Sequence, residues 1–353
     1  MHMENKLDPD DAPTWISDIL CYEDEKNIIC SPNQDDCGII NIGNTCIIAT
    51  TDYLNASPIA TELDIGGYED LGRLVVDNNL ADLCGTGANP EALLLAFTLS
   101  RPTEKGVLEQ LILGAKAEAD NYGVPIIGGD TKLGESDALL GVAIGSATNQ
   151  SSLFLKRGAI PGDDIWLSGP TGSVCAALLG LINDIGNTEW RAWAENAIVH
   201  PSLPIEASRR VCDSGLANGG MDISDGLGDD LIELCETSDV GAIVDVNNIP
   251  VEDNARKIAE ELGYPPWALS FVLGGDLQFV CTIPETANSR RTLRDIGLYR
   301  IGRITSSSEE IMLNNNGYNW PIPHTGHRDS RNMSFADEIT FLLDEVSSPS
   351  NKS

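Results

Sequence analysis

A chain of 353 residues with 42% hydrophobic content is too long for one compact core of ordinary size, so two domains are expected, and no apolar run approaches the ~20 residues of a membrane span. Its 54 acidic against 22 basic side chains give a net charge of −32, which argues against a nucleic-acid or anionic-membrane surface built on clustered Lys and Arg. The nine cysteines form no CxxC pair and only four histidines exist, so neither a disulfide framework nor a zinc site is expected.

Residues 1–20 are polar and acidic and lack the basic start and apolar core of a secretory signal; a flexible lead-in and a cytoplasmic location follow. QDDCG (34–38) sets Asp35 and Asp36 just before a strand, and NTCIIATTDY (44–53) reads as a strand that turns polar at Thr51 and Asp52. YEDLGRLVVDNNLADLCGTG (68–87) carries Leu71, Leu74, Val75, Leu80 and Leu83 at helical spacing and places Asp82 on one face with Asn78. ALLLAFTLS (92–100) predicts a strand and GVLEQLILGAKAEADNYG (106–123) a second amphipathic helix closed by glycine. VPIIGGDT (124–131), with Gly128 and Gly129 before Asp130, and ALLGVAIGSAT (138–148) complete an α+β unit over residues 21–150.

A polar, turn-rich break near 149–162 opens a second unit, 151–342. It contains the strand and turn DIWLSGPTG, a helix over 173–185, another over 204–217, and the strand-to-helix passage MDISDGLGDDLIELCE. GAIVDV, the helix VEDNARKIAEELG and the strand-like FVLGGDLQFVCTI follow, and 343–353 read as a flexible polar tail.

Aspartate suits neither a strand nor a helix interior, yet it recurs at these strand ends. A divalent magnesium ion takes one or two carboxylates together with phosphate oxygens and water, and a protein poor in side-chain cations needs such ions to meet a triphosphate. Taken singly, each segment also has a plainer reading: Asp35–Asp36 as a turn or helix cap, TTDY as a polar strand end, GGDT as an ordinary turn. MDISDGL is the most specific, because a cap needs one Asp and this stretch offers Asp222, Ser224 and Asp225. Neither GxxxxGK[ST] nor the kinase HRD and DFG pair is present.

The order DDCGII, TTDYL, EDLGRLVVDNNLADLCGTGANPEALLLAF, YGVPIIGGDT, KRGAIPGDDIWLSG, MDISDGLGDDL and LGGDL resembles the thiamine-monophosphate kinase family, within the superfamily of aminoimidazole ribonucleotide synthetase and selenophosphate synthetase. The likeness covers roughly residues 30–280. It implies an α+β, two-domain α/β architecture: an N-terminal mixed-sheet domain that forms a barrel at a homodimer interface, and a C-terminal α/β sandwich. It further implies ATP and Mg2+ in the cleft between them. Carried over by position, Asp35, Asp36, Thr51, Asp52, Asp82, Asp130, Asp222 and Asp225 are expected at the metals. Tyr122, Gly129, Asp130, Arg157 and Ser224 are expected at the nucleotide, with Asp130 and Asp225 central to catalysis. Lys132 has two readings, a phosphate contact or a solvated side chain.

The acceptor side departs from the pattern. The family's VEGVHF-like stretch is replaced by YLNASPIATEL, GGEDYEL has become GGDLQFV with Asp276 kept, and Gln34 stands where a glycine usually precedes the paired aspartates. Three functions stay open on these grounds: phosphoryl transfer to thiamine monophosphate or a related small molecule; ATP-dependent activation of an amide or carbonyl oxygen; and a non-catalytic nucleotide-binding or partner-binding role.

Overall fold

The computed structural model describes residues 20, 27–30, 34–54, 63, 65–148, 150–307, 311–323 and 335–347. The expected lead-in thus falls outside the described residues except Leu20, and so does most of the altered YLNASPIATEL loop.

Two sheets organise the chain. The first has six strands, β1 (Ile28–Cys30), β2 (Gly38–Ile42), β3 (Thr45–Leu54), β4 (Asn89–Ser100), β5 (Ile126–Gly134) and β6 (Ala138–Ala147), in the order β1-β2-β3-β6-β4-β5. Only β4 and β5 pair in parallel. Between the strands run helices α1 (Tyr68–Thr86) and α2 (Lys105–Tyr122). Alternation along β3, β4 and β6 turns Ile48, Leu93, Leu95, Phe97, Leu139 and Ala143 toward these helices, where they meet Val75, Val76, Leu80, Leu83, Leu111 and Ala115 in one core. The opposite face carries exposed Ile40, Ile42 and Tyr53. Among the described residues no closed barrel forms.

The second sheet has seven strands, β7 (Asp163–Leu167), β8 (Gly219–Ile223), β9 (Gly241–Asp245), β10 (Gln278–Pro284), β11 (Tyr299–Thr305), β12 (Ile311–Asn315) and β13 (Tyr318–Pro321), in the order β13-β12-β9-β11-β7-β10-β8. Helices α3 (Ser173–Ile182), α4 (Thr188–Val199), α5 (Ile205–Ser214), α6 (Leu227–Ser238), α7 (Asp253–Leu262), α8 (Ala287–Ile296) and α9 (Phe335–Ser347) accompany it. The larger core gathers side chains of α3, α6, α7 and α9 with inward residues of the sheet, and a smaller one joins Trp166, Phe279 and Cys281 to Val211 of α5 and Leu293 of α8. The architecture is therefore a mixed α/β fold in two parts. Among the described residues no helix is long and apolar enough to cross a membrane.

Two local expectations change, and one helix is added. The strand-like FVLGGDLQFVCTI begins as strand only at Gln278, because Pro266–Phe271 make a 3-10 turn and Gly274 lies against the Ser224 carbonyl. The TEWRAWAENAIV stretch forms α4, capped by the Asn187 side chain accepting from the Trp190 N–H at 3.0 Å. Residues 343–347, expected in the tail, complete α9, with Leu343 and Val346 fully buried.

One glycine sets how closely the halves approach. A Cβ on Gly85 in α1 would sit 2.3 Å from the Asp222 backbone nitrogen of β8. Helix α1 of the first part is thereby seated directly on the strand that presents Asp222. Gly85→Ala is expected to cost about 1–3 kcal/mol in urea unfolding, as overpacking does. Gly106→Ala, where a Cβ meets nothing within 4 Å, is expected to be neutral or to stabilise by about 0.4–1 kcal/mol. Equal midpoints for the two variants would contradict this seating.

Candidate active site

Six segments bring carboxyl groups together where the two parts meet. Period-two alternation on β3 turns Thr50 and Asp52 inward, toward α1. There the Thr50 hydroxyl donates to the Asp82 carboxylate, and the Asp52 N–H donates to the Asn79 side chain at 3.0 Å. Asn79 of α1, which the sequence reading did not single out, thus holds the end of β3. The turn before β2 supplies Asp35 and Asp36. From the other part come Asp222 at the end of β8, Asp225 in the following turn, and Asp230 and Glu233 on α6.

Lys156, only 4% exposed, stands among them. Its ammonium lies 2.6 Å from Asp36 and 2.7 Å from Glu233, and its backbone N–H donates to Asp35 at 3.0 Å. The turn 224–226 is tied to α6 by the Asp225 and Gly226 N–H groups, which donate to the Asp230 carboxylate at 3.3 and 3.1 Å. Gly226, at φ +112°, makes that corner passable.

The electrostatics record the crowding. Burial, followed by the charges of Asp36 and Asp52, lifts the Asp82 carboxyl to about 7 even though Thr50 and Lys156 pull it down. Burial lifts Asp35 to about 6, with Asp36 adding to the push, and lifts Asp230 to about 8, with Asp225 and Glu233 adding. Asp222 is pushed well up by burial and by Asp82, Asp36 and Asp230. For Lys156 burial opposes the charge, but Asp36 and Glu233 outweigh it and raise its pKa. These carboxyl groups outnumber the lysine that stands among them, and their oxygen-only donors suit a hard divalent ion. Among the described residues no three His, Cys, Asp or Glu side chains are grouped so as to hold a metal ion by themselves.

Other expected site residues lie elsewhere. By register, Thr51 faces away from α1, with its hydroxyl donating to the Gly141 carbonyl at 2.9 Å. Thr50 occupies the inward place expected of it. Asp130 falls in one cross-strand row with Ala96, Leu140 and Tyr53, also on the outer face, and pairs with Lys132 at 3.1 Å. Gly129, where a Cβ would sit 1.8 Å from the Leu95 carbonyl, is required by strand packing. Gly129 and Asp130 do line a cavity of about 620 Å3 with Leu95, Ile112, Lys116 and Ile126. Tyr122 is not in that lining; its hydroxyl accepts from the Leu203 N–H at 3.4 Å. Arg157 points away from the acidic cluster and donates to Gln34 at 2.8 Å and to the Ile29 carbonyl at 2.7 Å. Ser224 is exposed on the turn beside Asp225.

Sequence reasoning missed Lys156, Thr50, Asp230 and Glu233. The signal was available for Glu233, because Asp229, Asp230 and Glu233 share the first turns of α6 directly after MDISDG. It was not available for Lys156 against Arg157, since only the short 3-10 turn Lys156–Gly158 decides which of two adjacent cations faces inward. Asp276, kept from the family's GGEDYEL, accepts N–H bonds from Gly172, Ser173 and Val174 at 2.6, 3.0 and 3.1 Å. It therefore caps α3, and the glycine-rich GPTGS turn is a helix start whose donors are already taken.

Two consecutive family models match the chain: AIR synthase related protein, N-terminal domain, over residues 34–147, and its C-terminal domain over 161–313. A thiamine-monophosphate kinase of Escherichia coli is 31% identical over 272 residues, 76% of this chain and 80% of its own. The Pyrococcus horikoshii enzyme of the same name is 28% identical over 261 residues, 71% of this chain and 77% of its own. The solved structure of AaThiL complexed with AMPPCP and TMP superposes with a TM-score of 0.72 at 22% identity, covering 86% of this chain and 92% of that one, and speaks to the fold. The ordered acidic motifs, the two matched halves and this degree of identity agree: the chain belongs to the AIR synthase related protein family, in its thiamine-monophosphate kinase group.

Proposed function

We propose that this protein is a thiamine-monophosphate kinase, transferring the γ-phosphoryl group of ATP to the phosphate of thiamine monophosphate. The observation that carries the reading is the carboxylate cluster at the junction of the two parts, gathered on a chain of the thiamine-monophosphate kinase group. A phosphate acceptor is already anionic, so the transfer needs alignment and charge neutralisation more than a general base.

Asp35, Asp36, Asp52, Asp82, Asp222 and Asp225 would hold magnesium, with Asp230 orienting the Asp225 turn. When bound, magnesium supplies the positive charge that screens the carboxylates from the triphosphate and steadies charge on the transferred group. The Asp82 carboxylate is fixed by the Thr50 hydroxyl, and the Asp52 carboxylate accepts from the Tyr53 N–H at 2.7 Å while Asn79 anchors the Asp52 backbone, so both are oriented before any ligand arrives. The Gly129–Asp130 cavity is the proposed nucleotide entrance. A second copy of the chain pairing on the outer sheet face would cover Ile40, Ile42 and Tyr53 and enclose Thr51 and Asp130; this is our reading of the homodimer and its barrel. The eight described cysteines are all free and buried, which suits a cytoplasmic protein.

A second reading keeps ATP and changes the acceptor. It is favoured by Asp276, whose carboxylate is spent on the α3 cap, and by Gln278, whose carboxamide bonds Ser168 at 2.9 Å and the Ser202 carbonyl at 3.3 Å. Both border a cavity of about 510 Å3 lined by Trp193, His200 and Glu252, which has room for an organic acceptor.

ADP release with ATP, Mg2+ and thiamine monophosphate tests the assignment. Turnover is expected with the wild type, and Asp82→Asn is expected to lower kcat by about 100-fold or more, as loss of one transition-state electrostatic contact does. ADP release with an amide or carboxylate acceptor and none with thiamine monophosphate would establish the second reading instead.

The raised carboxyl groups also fix a pH dependence. Asp35, Asp82 and Asp230 have folded values of about 6, 7 and 8 against about 3.9 for an unfolded aspartate. Between these limits the folded state binds more protons, so stability falls as pH rises. The melting temperature of metal-free protein is expected to drop from pH 6 to pH 8.5, with added Mg2+ flattening the profile. A metal-free profile that rises across this window would contradict the cluster.

A further inference from the structure

The Lys156 ammonium is pinned in an unusual way. Its backbone is held on both sides, by the N–H bond to Asp35 and by a carbonyl that accepts from the Ser238 hydroxyl on α6 at 2.6 Å. The side chain spans the junction, contacting Asp36 from the first part and Glu233 from the second. Asp36 and Glu233 keep 31% and 53% of their side-chain surface exposed, whereas the lysine side chain keeps 5%. A fixed cation is therefore shared between two carboxylates that solvent, and ions in it, can reach.

We propose that Lys156 is the resident counter-ion of this site: it holds the acidic cluster together without metal, yields Asp36 to an incoming divalent ion, and stays paired with Glu233. The proposal rests on the magnesium reading above. An ammonium and a hard divalent cation compete for the same carboxylate oxygens, and a unit charge within a few ångströms of a divalent ion costs that ion substantial affinity. Glu233 gives the displaced ammonium a partner, so metal entry does not strand a buried charge. A purely structural salt bridge would affect stability and leave metal affinity alone.

The test is Mn2+ binding to the full chain without nucleotide, followed by calorimetry and by the Mn2+ electron paramagnetic resonance signal. Lys156→Met removes the competitor, so Mn2+ is expected to bind about tenfold more tightly or better, while the metal-free melting temperature falls and Mn2+ restores it. Lys156→Arg keeps the charge and is expected to stay within about threefold of wild type. Glu233→Gln is expected to weaken Mn2+ binding in the wild type and to have little effect beside Lys156→Met, giving a non-zero coupling in the double-mutant cycle. Unchanged or weaker affinity in Lys156→Met, or additive effects of the two substitutions, would overturn the proposal. If Lys156→Met does not fold, Lys156→Gln takes its place in the cycle under the same criteria. Failure of the wild type to bind Mn2+ at all would sink the magnesium reading instead.

Discussion

Carboxyl groups held close together at low water content are the constraint on which this structure turns. Aspartate ionises near 4 in water, so gathering Asp35, Asp82, Asp222 and Asp230 where their pKa values rise works against folding at neutral pH. A chain that needs only stability would not keep them there. Among the described residues the compensating cation is Lys156, with hydrogen bonds donated by Thr50 and by backbone N–H groups, and one accepted by Asn79, orienting the acidic segments. What is left uncompensated is negative charge, which the proposed divalent cations would meet.

The fold serves this arrangement. Two sheets lie on either side of a junction, and Gly85 lets α1 approach β8 closely enough to bring Asp82 and Asp222 within electrostatic reach. The Lys156–Gly158 turn links the parts and plants its ammonium between them. Asp82 on α1 and Asp222 on β8 belong to different parts, so a change in how the parts sit would alter the site directly.

Much of this was legible in the sequence. The polar end of β3 at Asp52 followed from an apolar run turning polar, α1 and α2 from helical spacing closed by glycine, and the β8-to-α6 passage from MDISDGLGDDLIELCE. Side-chain direction was less legible. Thr50 and Thr51 are indistinguishable by composition, and only the strand's alternation, fixed by its packing on α1, sends Thr50 inward. Lys156 and Arg157 differ by a single step in a short turn, with opposite outcomes. Asp276 looked like a substrate residue because of its GGD setting, yet it caps α3. Sequence position located the acidic segments, and tertiary packing decided which neighbour in each segment faces the site.

The central claim is that these carboxylates are a metal and nucleotide site. Anomalous diffraction from crystals grown with Mn2+ and a non-hydrolysable ATP analogue tests it most directly. The account predicts manganese peaks bounded by carboxylates from the set Asp35, Asp36, Asp52, Asp82, Asp222 and Asp225, bridging to the analogue's phosphates. A bound analogue whose phosphates lie away from these residues, with no manganese peak among them, would contradict it.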